Sequence, residues 1–167
     1  TQQTDRPIDS FNIFSFQNLA GLLCIVCGGL YLKRSRLEAR EEISGYIDKI
    51  QSRDSSQRKF AASYFANMSM SPELRQGPLQ EVIQHVYPCL KDKNEKVRVY
   101  AAAFFRNMAV SPELRQGLQE VIQHVYPCLK DKNGEVRGHA AAFFCYMAMS
   151  PELRQGPLQE VIQHVYP

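Results

Sequence analysis

The sequence predicts an all-α protein in which one membrane-spanning helix runs on into a stack of about three helical repeats. Two observations carry this. The stretch SPELRQGPLQEVIQHVYPCLKDKNEKVRVYAAAFFRNMAV at 71–110 returns with small changes at 111–149 and opens again at 150–167. Self-similarity at a period of roughly 20–50 residues marks a stacked-repeat architecture, in which each copy leans on its neighbours. The second observation is that residues 13–32, IFSFQNLAGLLCIVCGGLYL, carry no charge. A helix of that length rises ~30 Å, the thickness of a bilayer's hydrocarbon core. Whole-chain averages of 44% hydrophobic and 22% charged residues resemble an ordinary globular domain and conceal both features.

Residues 1–12 read as an extended leader, with Pro7 and the Asp9-Ser10 pair ahead of the first helix. Within 13–32, Gly21, Cys24 and Gly28 offer small residues suited to close packing against other spans. A signal peptide carries its positive charge before the apolar run and a small-residue cleavage site after it, whereas here KRSR follows and no such site does. The basic residues Lys33, Arg34, Arg36 and Arg40 come directly after the span, and the leader holds one Arg against Asp5 and Asp9. The positive-inside tendency then places the repeats on the cytosolic, matrix or stromal side and the N-terminus opposite, with the cluster able to touch anionic headgroups. No Pro interrupts Leu30 to Ile50, so the helix is expected to continue as a rod to about residue 50. The start at Thr1 and the stop at Pro167 in mid-repeat suggest that neither end is natural.

Shifting the sequence by 40 places Ile50 on Leu90, Arg58 on Arg98, Phe65 on Phe105 and Asn67 on Asn107. The repeats are therefore expected at 40–70, 71–110 and 111–149, with a partial copy at 150–167, and the end of the rod opens the first. In each complete copy SPELRQG predicts a short helix, with Ser as N-cap, Pro at the first helical position and Gly at the end. LQEVIQHVYPCL follows as an amphipathic helix with Leu79, Val82, Ile83, Val86, Tyr87 and Leu90 on one stripe and Pro88 bending its last turn. After the polar KDKN link, Asn94 caps a third helix in which Val97, Ala101, Phe104, Phe105 and Met108 share a face.

Those residues resemble the armadillo and HEAT repeat families: a short helix and two longer ones in about 40 residues, the last reading KDKNEKVRVYAAAFFRNMA. The resemblance covers residues 40–167 and implies a right-handed α-solenoid. It departs from the armadillo pattern in the position of Gly77, Gly117 and Gly156 and in the small number of repeats. In armadillo proteins a late Asn of the third helix, on a concave surface, holds the backbone of an extended peptide. The resemblance therefore implies Asn67 and Asn107 as protein-binding residues, with Arg106 beside them and Tyr146 replacing Asn in the third copy.

Catalytic chemistry is not legible. Cys24 and Cys27 form a CxxC inside the apolar run, without the second pair or the His that a metal site needs. His85/Cys89 and His124/Cys128 are spaced four apart on a helix, but recurrence is also what a packing position shows, and no third ligand recurs beside them. There is no nucleophile with a base and no phosphate loop. No cofactor or metal is expected, and the membrane helix is the one place left open for a lipid or pigment. A formal charge of +3, with Lys and Arg alternating with Glu and Asp, argues against nucleic acid.

The sequence thus points to a non-enzymatic, membrane-anchored scaffold. Its expected role is an accessory subunit stabilising a respiratory or photosynthetic complex in a mitochondrial inner or thylakoid membrane, with proteins and lipid as partners. An adaptor capturing a soluble peptide is the alternative, and a HEAT-like pigment lyase a remote one. Function is expected where the copies differ, at Arg106/Cys145, Asn107/Tyr146 and Tyr100/His139.

Overall fold

Three long helices form the spine of the repeats, and each begins at the same kind of cap. Helix α1 covers residues 40–50, followed by α2 (Ser55–Met68), the short α3 (Pro72–Arg75) and α4 (Ile83–Val86), α5 (Glu95–Val110), the short α6 (Pro112–Arg115) and α7 (Ile122–Val125), α8 (Gly134–Met147) and α9 (Pro151–Arg154). The side chain of Asp54 accepts from Ser56 N at 2.9 Å, Asn94 from Lys96 N at 2.9 Å, and Asn133 from Glu135 N at 2.8 Å. Each satisfies an amide that the first turn leaves without a partner. These contacts belong to a computed structural model that describes residues 40–161 apart from 76, 155, 157 and 160. The chain divides into two units, Thr1–Glu41 and Glu42–Pro167, and the repeats occupy the second.

Helix α5 lies between α2 and α8, and burial follows from that position. The expected stripe of Val97, Ala101, Phe104, Phe105 and Met108 is fully buried, and Val99, Ala102 and Ala109 join it. On α2 only Ala61, Ala62, Phe65 and Ala66 are buried, and on α8 only Val136, Ala140, Phe143 and Met147. The alanines keep the helices close, and Phe104 meets Phe105 edge-on at 5.1 Å, a favoured geometry for aromatic pairs. Ile50 of α1 is buried like Leu90, its counterpart 40 residues on, and Ile43 is buried with it. On the α1 surface Tyr46 stacks on Tyr64 at 3.6 Å, and burial together with the Glu42 charge pushes the Tyr64 hydroxyl up to about 12.

Two expectations are corrected. In the copies at 71–110 and 111–149 the second element is not one bent α-helix, whereas its counterpart in the first repeat, α1, is continuous. In the first of these it is a composite of a 3-10 turn at Pro78–Val82, one α-turn and a second 3-10 turn at Tyr87–Lys91. Pro88 removes a donor from the latter, but Pro78 is not what sets the former. The next copy lacks that proline and still forms a 3-10 segment, at Gln116–Val121. Nor does the Ser111 hydroxyl cap α6: it accepts from Arg75 Nε of the preceding copy at 2.9 Å.

Residues 13–32 lie outside the described residues, as do Gly21, Cys24, Gly28, Lys33, Arg34 and Arg36 and the rod between the span and residue 40. Arg40 is exposed. Among the described residues no helix is long and apolar enough to cross a membrane.

Candidate functional site

The polar side chains buried in the stack hold its layers together. Arg58 grips Asp92 of the next copy through two contacts, Nε to Oδ2 at 2.6 Å and Nη2 to Oδ1 at 3.2 Å. Arg98 repeats the arrangement on Asp131 at 2.7 and 3.1 Å. The remaining Nη1 of Arg58 donates to Ser52 O and Arg53 O, and that of Arg98 to Asp92 O and Lys93 O. Each Asp also accepts from the amide two residues on, Asn94 or Asn133, at 2.8 Å. One Asp therefore ties its own helix-capping turn to the Arg of the previous layer. Charge-assisted, bidentate pairs of this kind fix geometry as well as adding energy. Burial works against the Asp92 charge, but the Arg58 hydrogen bond, the Asn94 amide and nearby positive charge outweigh it and hold the carboxyl below its ordinary range.

A second set of arginines closes helix ends. Nη1 of Arg75 donates to Ser69 O at 2.9 Å and Met70 O at 3.2 Å just past the end of α2. Arg115 serves Ala109 O at 2.9 Å and Val110 O at 3.3 Å at the end of α5. A cation there satisfies carbonyls that lack an intrahelical partner and opposes the helix dipole.

The residues expected to bind a peptide differ in their exposure. Asn107 is 6% exposed. Its amide nitrogen donates to Ala66 O at 3.1 Å and Ser69 Oγ at 3.0 Å in the previous copy, and its oxygen accepts from Arg106 at 3.0 and 2.6 Å. An Asn side chain offers two donors and two acceptor sites. All four are taken, so Asn107 cross-links the copies, with Nε and Nη2 of Arg106 as its donors. Asn67, the same position one copy earlier, is exposed, and Tyr146 is half-buried against the core.

The recurring His and Cys pairs separate in the same way. Cys89 and Cys128 are buried, and burial pushes their thiols up to about 12 and about 11. The Cys128 thiol points at Leu90 O and His124 O, 4.0 and 3.8 Å away. His124 stacks on Tyr87 at 4.3 Å, and His85 accepts from Gln51 at 2.9 Å. Among the described residues no group of three His, Cys, Asp or Glu could hold a metal. Of the positions where the copies differ, Cys145 is exposed and His139 half-buried. The His139 imidazole is lowered by burial and by Arg106 of the neighbouring layer.

Shallow dents run along the repeat boundaries. One of about 390 Å³ is lined by Lys91, Arg98, His124, Pro127 and Asp131 among others, and one of about 180 Å³ by their counterparts at Gln51, Arg58, His85, Pro88 and Asp92. Water therefore reaches the outer edge of each Arg–Asp pair. The arginine–aspartate ladder is the feature that sequence reasoning missed. Its signal was present: Arg58, Arg98 and Arg137, with Asp92 and Asp131, recur in register beside helix faces that are otherwise apolar.

Fold and surface together define the class, an α-helical repeat scaffold of the armadillo/HEAT kind. The profile of the Cnd1 family, non-SMC mitotic condensation complex subunit 1, matches residues 54–165, more than half of the chain, and the chain belongs to that family. No curated protein matches it. Among solved structures, an engineered protein from the Northeast Structural Genomics Consortium superposes with a TM-score of 0.65 at 18% identity, over 72% of this chain and 51% of that one. A second engineered protein from the same source gives 0.64 at 21%, over 70% and 30%. The designed armadillo repeat protein YIII(Dq)4CqI gives 0.63 at 21%, over 69% and 51%. The chain spans about half or less of the length of each, and identities this low carry the fold alone.

Proposed function

We propose that the chain is a non-enzymatic scaffold that acts as a subunit of a larger protein assembly, binding and stabilising its neighbours. The observation that carries this reading is how the polar groups are used: the buried Arg, Asp and Asn side chains all bind other parts of the stack. That builds a stiff array of repeats whose function lies in the surface it presents. The family's description as a complex subunit supports the same role. The uncharged run at 13–32 supports a membrane anchor for it, with the repeats on the cytosolic, matrix or stromal side and an organellar membrane as its setting. Comigration with a large species on a native gel after mild detergent is the expected result. A chain that runs only as a small free species overturns the subunit role, and release by alkaline carbonate overturns the anchor.

A further inference from the structure

The boundary between the copies at 71–110 and 111–149 is open where the boundary before it is closed. In the earlier one Gln51 donates across the gap to His85 at 2.9 Å, and the dent beside them measures about 180 Å³. One copy later the counterparts of Ile47 and Gln51 are Tyr87 and Lys91. There His124, the counterpart of His85, stacks on Tyr87 at 4.3 Å instead, and the dent grows to about 390 Å³. A further dent of about 320 Å³ adjoins it, since His124 lines both, and the two make one furrow along the boundary. Its ends differ in chemistry. Half-buried Ile83 and Tyr87 line one end, where Gly117 brings no side chain. Exposed Lys91 and Lys132 line the other, beside Asp92 and Asp131. Those two carboxylates are already matched by Arg58 and Arg98, and among the described residues no ion pair engages either lysine. That end therefore holds two positive charges in excess, in a concave setting that focuses their field.

We propose that this furrow is a docking site for an extended acidic segment of a partner protein, its carboxylates on Lys91 and Lys132 and an apolar side chain against Ile83 and Tyr87. Charge sets the orientation. Glu120 lines the apolar end and repels an acid there, which steers negative charge to the lysines. Length sets the spacing. From Ile83 to Lys91 the mixed helix advances about 12–16 Å at ~1.5–2.0 Å per residue, and an extended chain covers that in about four or five residues. Lysines act as point charges on flexible stems, so Asp and Glu serve alike. The proposal rests on the scaffold reading and names the surface through which it acts.

The probe is the fluorescein-labelled peptide SGLSGSEDSG, titrated onto the whole chain in mild detergent and read by anisotropy. Acetylation rates of single lysines, mapped by mass spectrometry, locate it. Saturable binding below about 1 mM is expected, with Lys91 and Lys132 acetylated several-fold more slowly and the exposed Lys93 and Lys130 unchanged. Lys91→Gln installs the residue type of the closed boundary. Gly117→Leu fills the apolar end, and the fold accepts it: the glycine has no positive φ, and a Cβ there meets nothing within 4 Å. Each should weaken binding about tenfold without lowering the melting midpoint. Absence of saturable binding up to about 1 mM, equal binding by the amide peptide SGLSGSQNSG, or undiminished binding by either variant overturns the proposal. So does protection of the two lysines by phosphatidylserine vesicles where the peptide gives none, which assigns the charge to a lipid surface. Protection on concentrating the chain alone assigns the furrow to a second copy and overturns it equally. On the native gel, a complex that survives both substitutions together removes this furrow alone, whereas a wild-type chain found free removes the scaffold reading.

Discussion

Replacing Asp131 with Asn tests the ladder while leaving its shape intact. The Asn oxygen can still accept from the Asn133 amide, now 2.8 Å away, so the capping turn is retained and the main change is the lost charge opposite Arg98. The pair's side chains are 8% and 12% exposed. That is far less than a surface pair, whose median worth is ~0–1 kcal/mol, but the adjoining dent admits water, so the ~3–5 kcal/mol for stranding a fully buried charge is too high. Asn keeps one weakened acceptor for the guanidinium. Exchanging two ion-pair hydrogen bonds for one from the guanidinium to an uncharged amide oxygen then costs about 2 kcal/mol. At ~2–4 °C per kcal/mol for a chain of this size, the midpoint should fall by ~4–8 °C at neutral pH. The Arg98 hydrogen bond, against the opposing effect of burial, holds the Asp131 carboxyl below its ordinary value of 3.8. A folded value below the unfolded one means the contribution is complete above about pH 3.8 and is lost as pH falls through the folded value. Circular dichroism melts of both chains at neutral pH and through the acid range should show a constant gap that closes in acid. A midpoint shift under ~1 °C, or a gap that persists at the acid end, refutes the reasoning.

Three further outcomes are expected. Phe105→Ala, at a fully buried site between two layers, should cost ~3–5 kcal/mol in denaturant melts, and Phe144→Ala, half-buried one copy later, should cost clearly less; equal losses would contradict the central position of α5. Asn107→Ala removes the donor to Ala66 O and Ser69 Oγ, which keep the 2.7 Å bond between themselves, and the acceptor of Arg106, and should destabilise by ~1–1.5 kcal/mol, while Asn67→Ala, at the exposed equivalent, should stay within about 0.5 kcal/mol. Iodoacetamide at neutral pH should modify Cys145 and spare Cys89 and Cys128, whose thiols burial pushes up to about 12 and about 11; peptide mapping that finds Cys89 modified as fast as Cys145 would show that its burial is wrong.

The sequence by itself determined whatever depends on residues a few positions apart, and whatever repeats. The caps at Asp54, Asn94 and Asn133 act over two or three residues. The 40-residue register put Phe65 and Phe105 into the same core because identical units bury identical faces. Only the tertiary structure decided what happens across a layer boundary. Arg98 meets a carboxylate 33 residues away, and the Ser111 hydroxyl serves Arg75 in place of its own helix. Asn107 is buried while its aligned equivalent Asn67 is exposed. Aligned positions share a sequence environment but not a neighbour. A residue on α5 has a layer on each side, and the Arg at the position of Arg58 and Arg98 is buried there. Position in the stack therefore decides which recurring side chains hold the fold.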